Sequence, residues 1–240
     1  MSIVRVISLS RQAQRRQAFA LANAHLRFSF FDAVDGNALD LGAVRASGAF
    51  AEAVEASYTA HGYGAALSHR ELWKQAAAGT APMTIAEDDA VFRLDFNDRS
   101  DEVLAGLEPG WDLVLWGWNF DLPLLVLPMG EVSPVAMLFD QQRMRSTLAD
   151  FQALRSPVQA LGLARAFGLP AYTLSANGAR RMLELCYPLR PLAVRVPVLG
   201  HSVANIGVDV AASAAYPQTL SFACFPPLAV TPNRRGDVQA

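Results

Sequence analysis

The chain opens on IVRVISL (Ile3 to Leu9), an apolar, β-branched run broken by Arg5 that predicts a buried strand. SRQAQRRQAFALANAH follows with helical composition, and Ser10 is the expected N-cap. RFSFFDAVDG reads as a second strand closed by a turn at Asp35-Gly36. Strand, helix, strand is a βαβ unit, and a βαβ unit requires a parallel sheet. Residues 40 to 60 are Ala-rich and show no strong period, after which a helix is predicted from Ala65 to Ala78, stopped at Gly79. APMTIAEDD and WDLVLWGW (111–118) are the next strands. AYTLS (171–175) is a short one, and ANGARRMLELCY is a helix ending before Pro188. The pattern is weak from Asp121 to Arg165, where LPLLVLPMG and SPVAMLFD suit either a hairpin or an extended loop. The remainder, rich in Pro, Gly and Val, predicts irregular structure with short strands.

Composition narrows the class. With 240 residues, 52% of them hydrophobic and 18% charged, the chain can bury a large core and contains no linker, so one α/β domain is expected. A net charge of -2 and only paired arginines (Arg15-Arg16, Arg180-Arg181, Arg234-Arg235) leave no electrostatic footprint for nucleic acid. Lys74 is the sole lysine, so arginine frequency by itself carries little functional weight. Cys186 and Cys224 have neither metal spacing nor the numbers of a disulfide framework, which fits a reducing compartment. The N-terminus is too polar for a secretory signal. Val210 to Asn233 carries no charge, but Pro217, Pro226, Pro227 and Pro232 would break a spanning helix. The expectation is a cytoplasmic protein with no transmembrane segment.

The chemistry concentrates in TIAEDDAVF, residues 84–92, where Glu87, Asp88 and Asp89 end an apolar strand. Adjacent carboxylates at a partly buried strand end are costly unless a cation or hydrogen-bond donors compensate. In an extended segment Glu87 and Asp89 share one face and Asp88 takes the other. The first two are candidate ligands for Mg²⁺ or Mn²⁺, and Asp88 for a hydroxyl. The competing reading is that the triplet caps a loop in solvent. Ligands of open α/β sheets collect at the carboxyl ends of parallel strands, where this triplet falls.

The ordered strings VISLSRQAQRRQAF, FSFFDAVDG, GYGAALSHRELWKQA, TIAEDDAVF and GLPAYTLSANGARRML, with GVDVAAS later, resemble glycosyltransferase family 25 over residues 3 to 216. These are lipopolysaccharide glycosyltransferases, many of them β-galactosyltransferases, related to collagen galactosyltransferases. The resemblance implies a GT-A-like (Rossmann-related) single domain with a mostly parallel central sheet, a UDP-sugar donor, a metal-binding acidic motif and inversion at the anomeric carbon. Residues 1–118 then form the nucleotide-sugar half, 119–230 the acceptor half and 231–240 a tail. The acceptor is a glycan such as lipooligosaccharide; if it is lipid-linked, a peripheral contact at the inner membrane follows. One departure stands out: where the family carries an acidic residue before ALSH, this chain has Tyr63, in His61-Gly62-Tyr63-Gly64-Ala65. That change favours altered specificity or, as the alternative function, a nucleotide-sugar or glycan-binding protein without turnover.

The other candidates follow from position. Leu9 and Arg11 come directly after the first strand, where a donor nucleotide would lie, and a guanidinium pairs bidentately with phosphate. Asp32, at the end of the second strand, suits a ribose or uracil hydrogen bond, while Asp35 belongs to its turn. His69 is placed near the donor with no proton role assigned. Asp209 sits unpaired in NIGVDVAAS and is the candidate base for an acceptor hydroxyl, or else a group that holds the donor sugar. The tail, with Arg234 and Arg235, either closes over a diphosphate or stays disordered.

Overall fold

The computed structural model describes residues 3–233. In the first half, β1 (Val4–Ser8), α1 (Ala13–Ala22) and β2 (Phe28–Asp32) form the expected βαβ unit, followed by α2 (Leu41–Ala46), α3 (Ala60–Ala78) and β3 (Met83–Glu87). Then come β4 (Val91–Phe92), α4 (Phe96–Ala105), β5 (Leu113–Gly117), β6 (Leu124–Val126), β7 (Val135–Met137), α5 (Gln141–Ser146), α6 (Leu148–Ala153) and β8 (Gln159–Arg165). The chain closes with β9 (Ala171–Leu174), α7 (Ala176–Cys186), β10 (Ala193–Val196), β11 (His201–Ala204), α8 (Val208–Ala215), β12 (Ser221–Phe225) and β13 (Ala229–Val230).

Nine strands make one sheet in the order β2-β1-β3-β9-β5-β12-β8-β6-β7. Strands β2, β1, β3, β5, β12 and β6 run in one direction, so the sheet is α/β and mostly parallel in sense. The exception of most consequence is β9, which lies antiparallel between β3 and β5. All five residues of β5 (Leu-Val-Leu-Trp-Gly) are buried, as expected of a central strand covered on both faces.

Alternation along the strands splits the core in two. Ile7, Ile85, Leu113, Leu115, Tyr172 and Leu174 face a cluster that takes in Trp73 of α3, Met182 of α7 and Ala212 of α8. Val4, Val6, Val114 and Trp116 face Phe19 of α1 and Phe96 of α4. Helices therefore cover both faces of the sheet.

Several boundaries differ from the expected ones. Ser10 does not cap α1; Leu9 to Gln12 form a turn in which the Gln12 N–H donates to the Leu9 carbonyl, and the helix starts at Ala13. Helix α3 begins at Ala60, ahead of the expected Ala65, because the Thr59 side chain accepts from the Gly62 N–H and caps the first turn. Segments 124–126 and 135–137 do form a hairpin. Part of the C-terminal region expected to be irregular is helical: α8 has no amphipathic stripe because nearly every side of it is buried. Both cysteines are free and buried.

Candidate active site

From β1 the chain runs to β2 on one side and later returns to β3 on the other, so the carboxyl ends of β1 and β3 form the switch point of the strand order. A cleft of about 350 Å³ opens there. Its floor is Ser8 and Leu9 after β1 and the carboxylate triplet after β3; α3 supplies His61 and His69, and α8 supplies Asp209. Thr231 and Asn233, after β13, form a further wall. The β4–β13 pairing, Val91 with Val230, brings that wall beside the triplet.

The three carboxylates have separate surroundings. Asp88 points back into the protein: its Oδ2 accepts from Ser8 Oγ at 2.6 Å, and its Oδ1 accepts from Arg15 Nε at 2.9 Å and Nη2 at 2.5 Å. Its side chain is 8% exposed, so this residue, expected to bond a donor hydroxyl, has both oxygens engaged within the protein. Glu87 faces the cleft from above His69, whose Nε2 lies 3.4 Å from Oε1. Burial alone would raise the Glu87 carboxyl, but the hydrogen bond from His69 and the basic groups around it, with Arg15 among them, outweigh it and hold it below its ordinary value. Asp89 goes the other way: burial first, then the charge of Glu87, push it up to about 7. Its Oδ1 is buried with no hydrogen-bond partner, and Arg15 stands 3.9 Å from Oδ2. Residues 87–90 are not extended as expected but form a turn closed by the Ala90 N–H on the Glu87 carbonyl at 3.2 Å, and in that turn Asp88 spends its oxygens on Ser8 and Arg15 while Glu87 and Asp89 border the cleft.

Asp209 lies in the first turn of α8, and its Oδ2 accepts the Gly168 N–H at 2.9 Å. Burial pushes its carboxyl above the ordinary value, and the charge of Glu87 adds to that shift. Gly168 has φ +80, and a Cβ there would come within 2.3 Å of Asn119 Oδ1, so the loop that holds Asp209 has room only for glycine.

Arg11 lines the cleft but is paired through Nε with Asp35 at 2.6 Å. Asp35 also accepts the Asn37 N–H, as its turn role required. Asp32 is not brought to the cleft; its side chain is 73% exposed and paired with Arg16. Tyr63 is buried against Phe50 and Tyr58, while His61 of the same helix turns to the cleft. Tyr63 therefore belongs to the apolar core and not to the lining. Arg15, which the sequence marks only as half of a basic pair, faces β3 from the first turn of α1 and is the arginine that holds the triplet. Sequence reasoning missed Thr231 and Tyr172 altogether. Arg234 and Arg235 lie outside the described residues.

The fold is that of an α/β protein with an acidic cleft at its topological switch point. Comparison with protein families assigns the rest: the profile of glycosyltransferase family 25 (LPS biosynthesis protein) matches residues 1–198. The chain belongs to that family and is a glycosyltransferase, an enzyme with a sugar donor and a glycan acceptor in lipopolysaccharide biosynthesis. None of the curated proteins compared with it matches. The family match ends before α8, so Asp209 rests on its geometry. No helix among the described residues is long and apolar enough to cross a membrane.

Proposed function

We propose that this enzyme transfers a hexose, galactose in the first instance, from a UDP-sugar to a hydroxyl of a lipooligosaccharide-type acceptor, with inversion and with the help of a divalent cation. The observation that carries the proposal is the convergence of Glu87, Asp89 and Asp209 on one cleft at the β1/β3 switch point, with Asp89 Oδ1 buried and unpartnered. That orphan oxygen beside a second carboxylate fits a hard cation. Among the described residues no three His, Cys, Asp or Glu side chains form a ready-made metal cage. Glu87 and Asp89 would hold Mn²⁺ or Mg²⁺ only in part, with the donor diphosphate completing its coordination, as is usual for a cation that retains open positions. Bound there, it supplies charge neutralisation for the departing diphosphate.

The protein's own groups do the rest. Asp209, raised by burial and fixed by the Gly168 N–H, takes the proton of the acceptor hydroxyl. The hydroxyl oxygen bonds to the anomeric carbon as that carbon's bond to the diphosphate oxygen breaks, and UDP leaves with the electron pair. Residues 1–118 supply most of the donor side, with Leu9 and Arg11 at the nucleotide end, and the later segments face the acceptor. Release of UDP from UDP-galactose by the purified protein, with and without Mn²⁺, tests the reading. Turnover that requires Mn²⁺ and is abolished by Asp89→Ala supports it; turnover indifferent to both overturns the metal assignment, and no binding of any UDP-sugar overturns the donor.

A further inference from the structure

Beneath Glu87 runs a buried chain of polar groups that the transfer reaction does not itself require. Trp73 Nε1 lies 2.7 Å from the Tyr172 hydroxyl, Tyr172 lies 2.7 Å from His69 Nδ1, and His69 Nε2 lies 3.4 Å from Glu87 Oε1. Trp73, Tyr172 and His69 are each 1% exposed or less. The His69 ring also stacks on Tyr172, with centroids 5.8 Å apart.

The direction of this chain follows from donor capacity. An indole N–H can only donate, so the Tyr172 oxygen receives the Trp73 bond. Burial holds the Tyr172 phenol far above its ordinary value, so its proton stays in place and has His69 Nδ1 before it. With Nδ1 accepting, the ring proton sits on Nε2 and faces the Glu87 carboxylate. The opposite tautomer would aim a lone pair at a carboxylate and take from the Tyr172 O–H the acceptor it has at His69 Nδ1.

We propose that Tyr172 is a positioning residue of the active site: by donating to His69 Nδ1 it locks the Nε2–H tautomer, which in turn fixes the Glu87 carboxylate toward the cleft. Trp73 holds Tyr172 in that role by occupying its oxygen. This explains why β9, which carries Tyr172, is set between β3 and β5: the strand beside β3 delivers the hydroxyl that orients the last residue of β3 through a helix side chain. The effect on catalysis rests on the reading of Glu87 as a donor-site ligand; the tautomer does not.

The test is ¹⁵N NMR of the full-length protein labelled at histidine, with His69 assigned by the signal lost in His69→Gln. The expected spectrum has His69 Nδ1 unprotonated and Nε2 protonated, and Tyr172→Phe moves His69 to mixed tautomers while raising the KM for UDP-galactose about 10-fold, the scale typical of outer groups that orient a ligand. If Tyr172→Phe does not fold, His69→Gln, which keeps an N–H near the Nε2 position, is compared with His69→Asn, which cannot reach it; the glutamine variant should retain most activity and the asparagine variant little. A wild-type His69 protonated on Nδ1 alone, or an unchanged tautomer in Tyr172→Phe, overturns the proposal even where donor binding is normal; asparagine serving as well as glutamine does the same. Absence of donor binding with the expected tautomer would instead refute the assignment of the donor.

Discussion

Arg15→Ala gives a direct measure of what holds the carboxylate triplet together. Asp88 is 8% exposed and Arg15 26%, so the two partners do not suffer equally when separated. Without Arg15, Asp88 remains a buried carboxylate bonded only to the Ser8 hydroxyl, next to the like charges of Glu87 and Asp89. Breaking a buried pair costs about 3–5 kcal/mol, and the lower figure applies here because a quarter of the arginine already meets water. In Asp88→Asn the amide oxygen still accepts from the guanidinium, which is already partly hydrated; the expected cost is about 1 kcal/mol. For a chain of this length, those losses correspond to Tm decreases of about 6–12 °C and about 2–4 °C. The double variant Arg15→Ala/Asp88→Asn removes both charges and should lose about 2 kcal/mol less than the two single losses added together. Urea unfolding at fixed pH, with the slope m checked for constancy, measures all three. If Arg15→Ala loses less than Asp88→Asn, or if the double variant is simply additive, the guanidinium does not hold the triplet as described.

Gly64→Ala should unfold the protein or cost more than about 3 kcal/mol, since its Cβ would stand 2.4 Å from the Val34 carbonyl oxygen; circular dichroism on heating shows this. Asp209→Asn should lower kcat about 10²–10⁴-fold with donor affinity retained, as measured by calorimetry. Its effect on stability has a definite sign: the folded-state carboxyl is raised, so ionised Asp209 costs stability above that value, and the cost declines as pH falls from it and is gone below the ordinary carboxylate value of the unfolded chain. The asparagine variant should therefore unfold no earlier than the parent at pH 7, and an earlier transition refutes the burial argument. Cys186 and Cys224, each pushed up to about 12 by burial, should be inert to a thiol reagent in the native protein and react only on unfolding.

Local pattern carried much of the fold. The opening βαβ unit, the strand that ends in the triplet and the buried strand at 113–117 are legible because each has a strong period or an unbroken apolar run. Helix α8 is not, since VDVAASAA is buried nearly all round and has no polar face to set a period. The start of α3 lies ahead of the expected Ala65 and takes in Gly62 and Gly64, the second of which is there because the turn at Val34–Gly36 passes directly against the helix. In the site, the end of an apolar strand placed the triplet at the cleft, but the turn over residues 87–90 that gives the three carboxylates separate surroundings was not legible. Nor were the roles of Arg15 and Tyr172, because the contacts that define them join residues 73 and 103 positions apart, and no local signal records such a pairing.

The position of β9 bears on how the protein comes to be made. Strands β3 and β5 never touch; Met83 and Leu113 both find their partner in Leu174, and β5 has its other edge on β12. A nascent chain that has emerged as far as Gly117 therefore contains four strands of the sheet with a gap in the middle, and the cleft floor and Glu87 are in place only after the chain has returned from residue 171. Such delayed, long-range closure slows folding and leaves apolar strand edges open meanwhile. The donor side of the site is encoded early and completed late, so residues 1–118 should be expected to associate with chaperones on the ribosome and not to fold there as a unit.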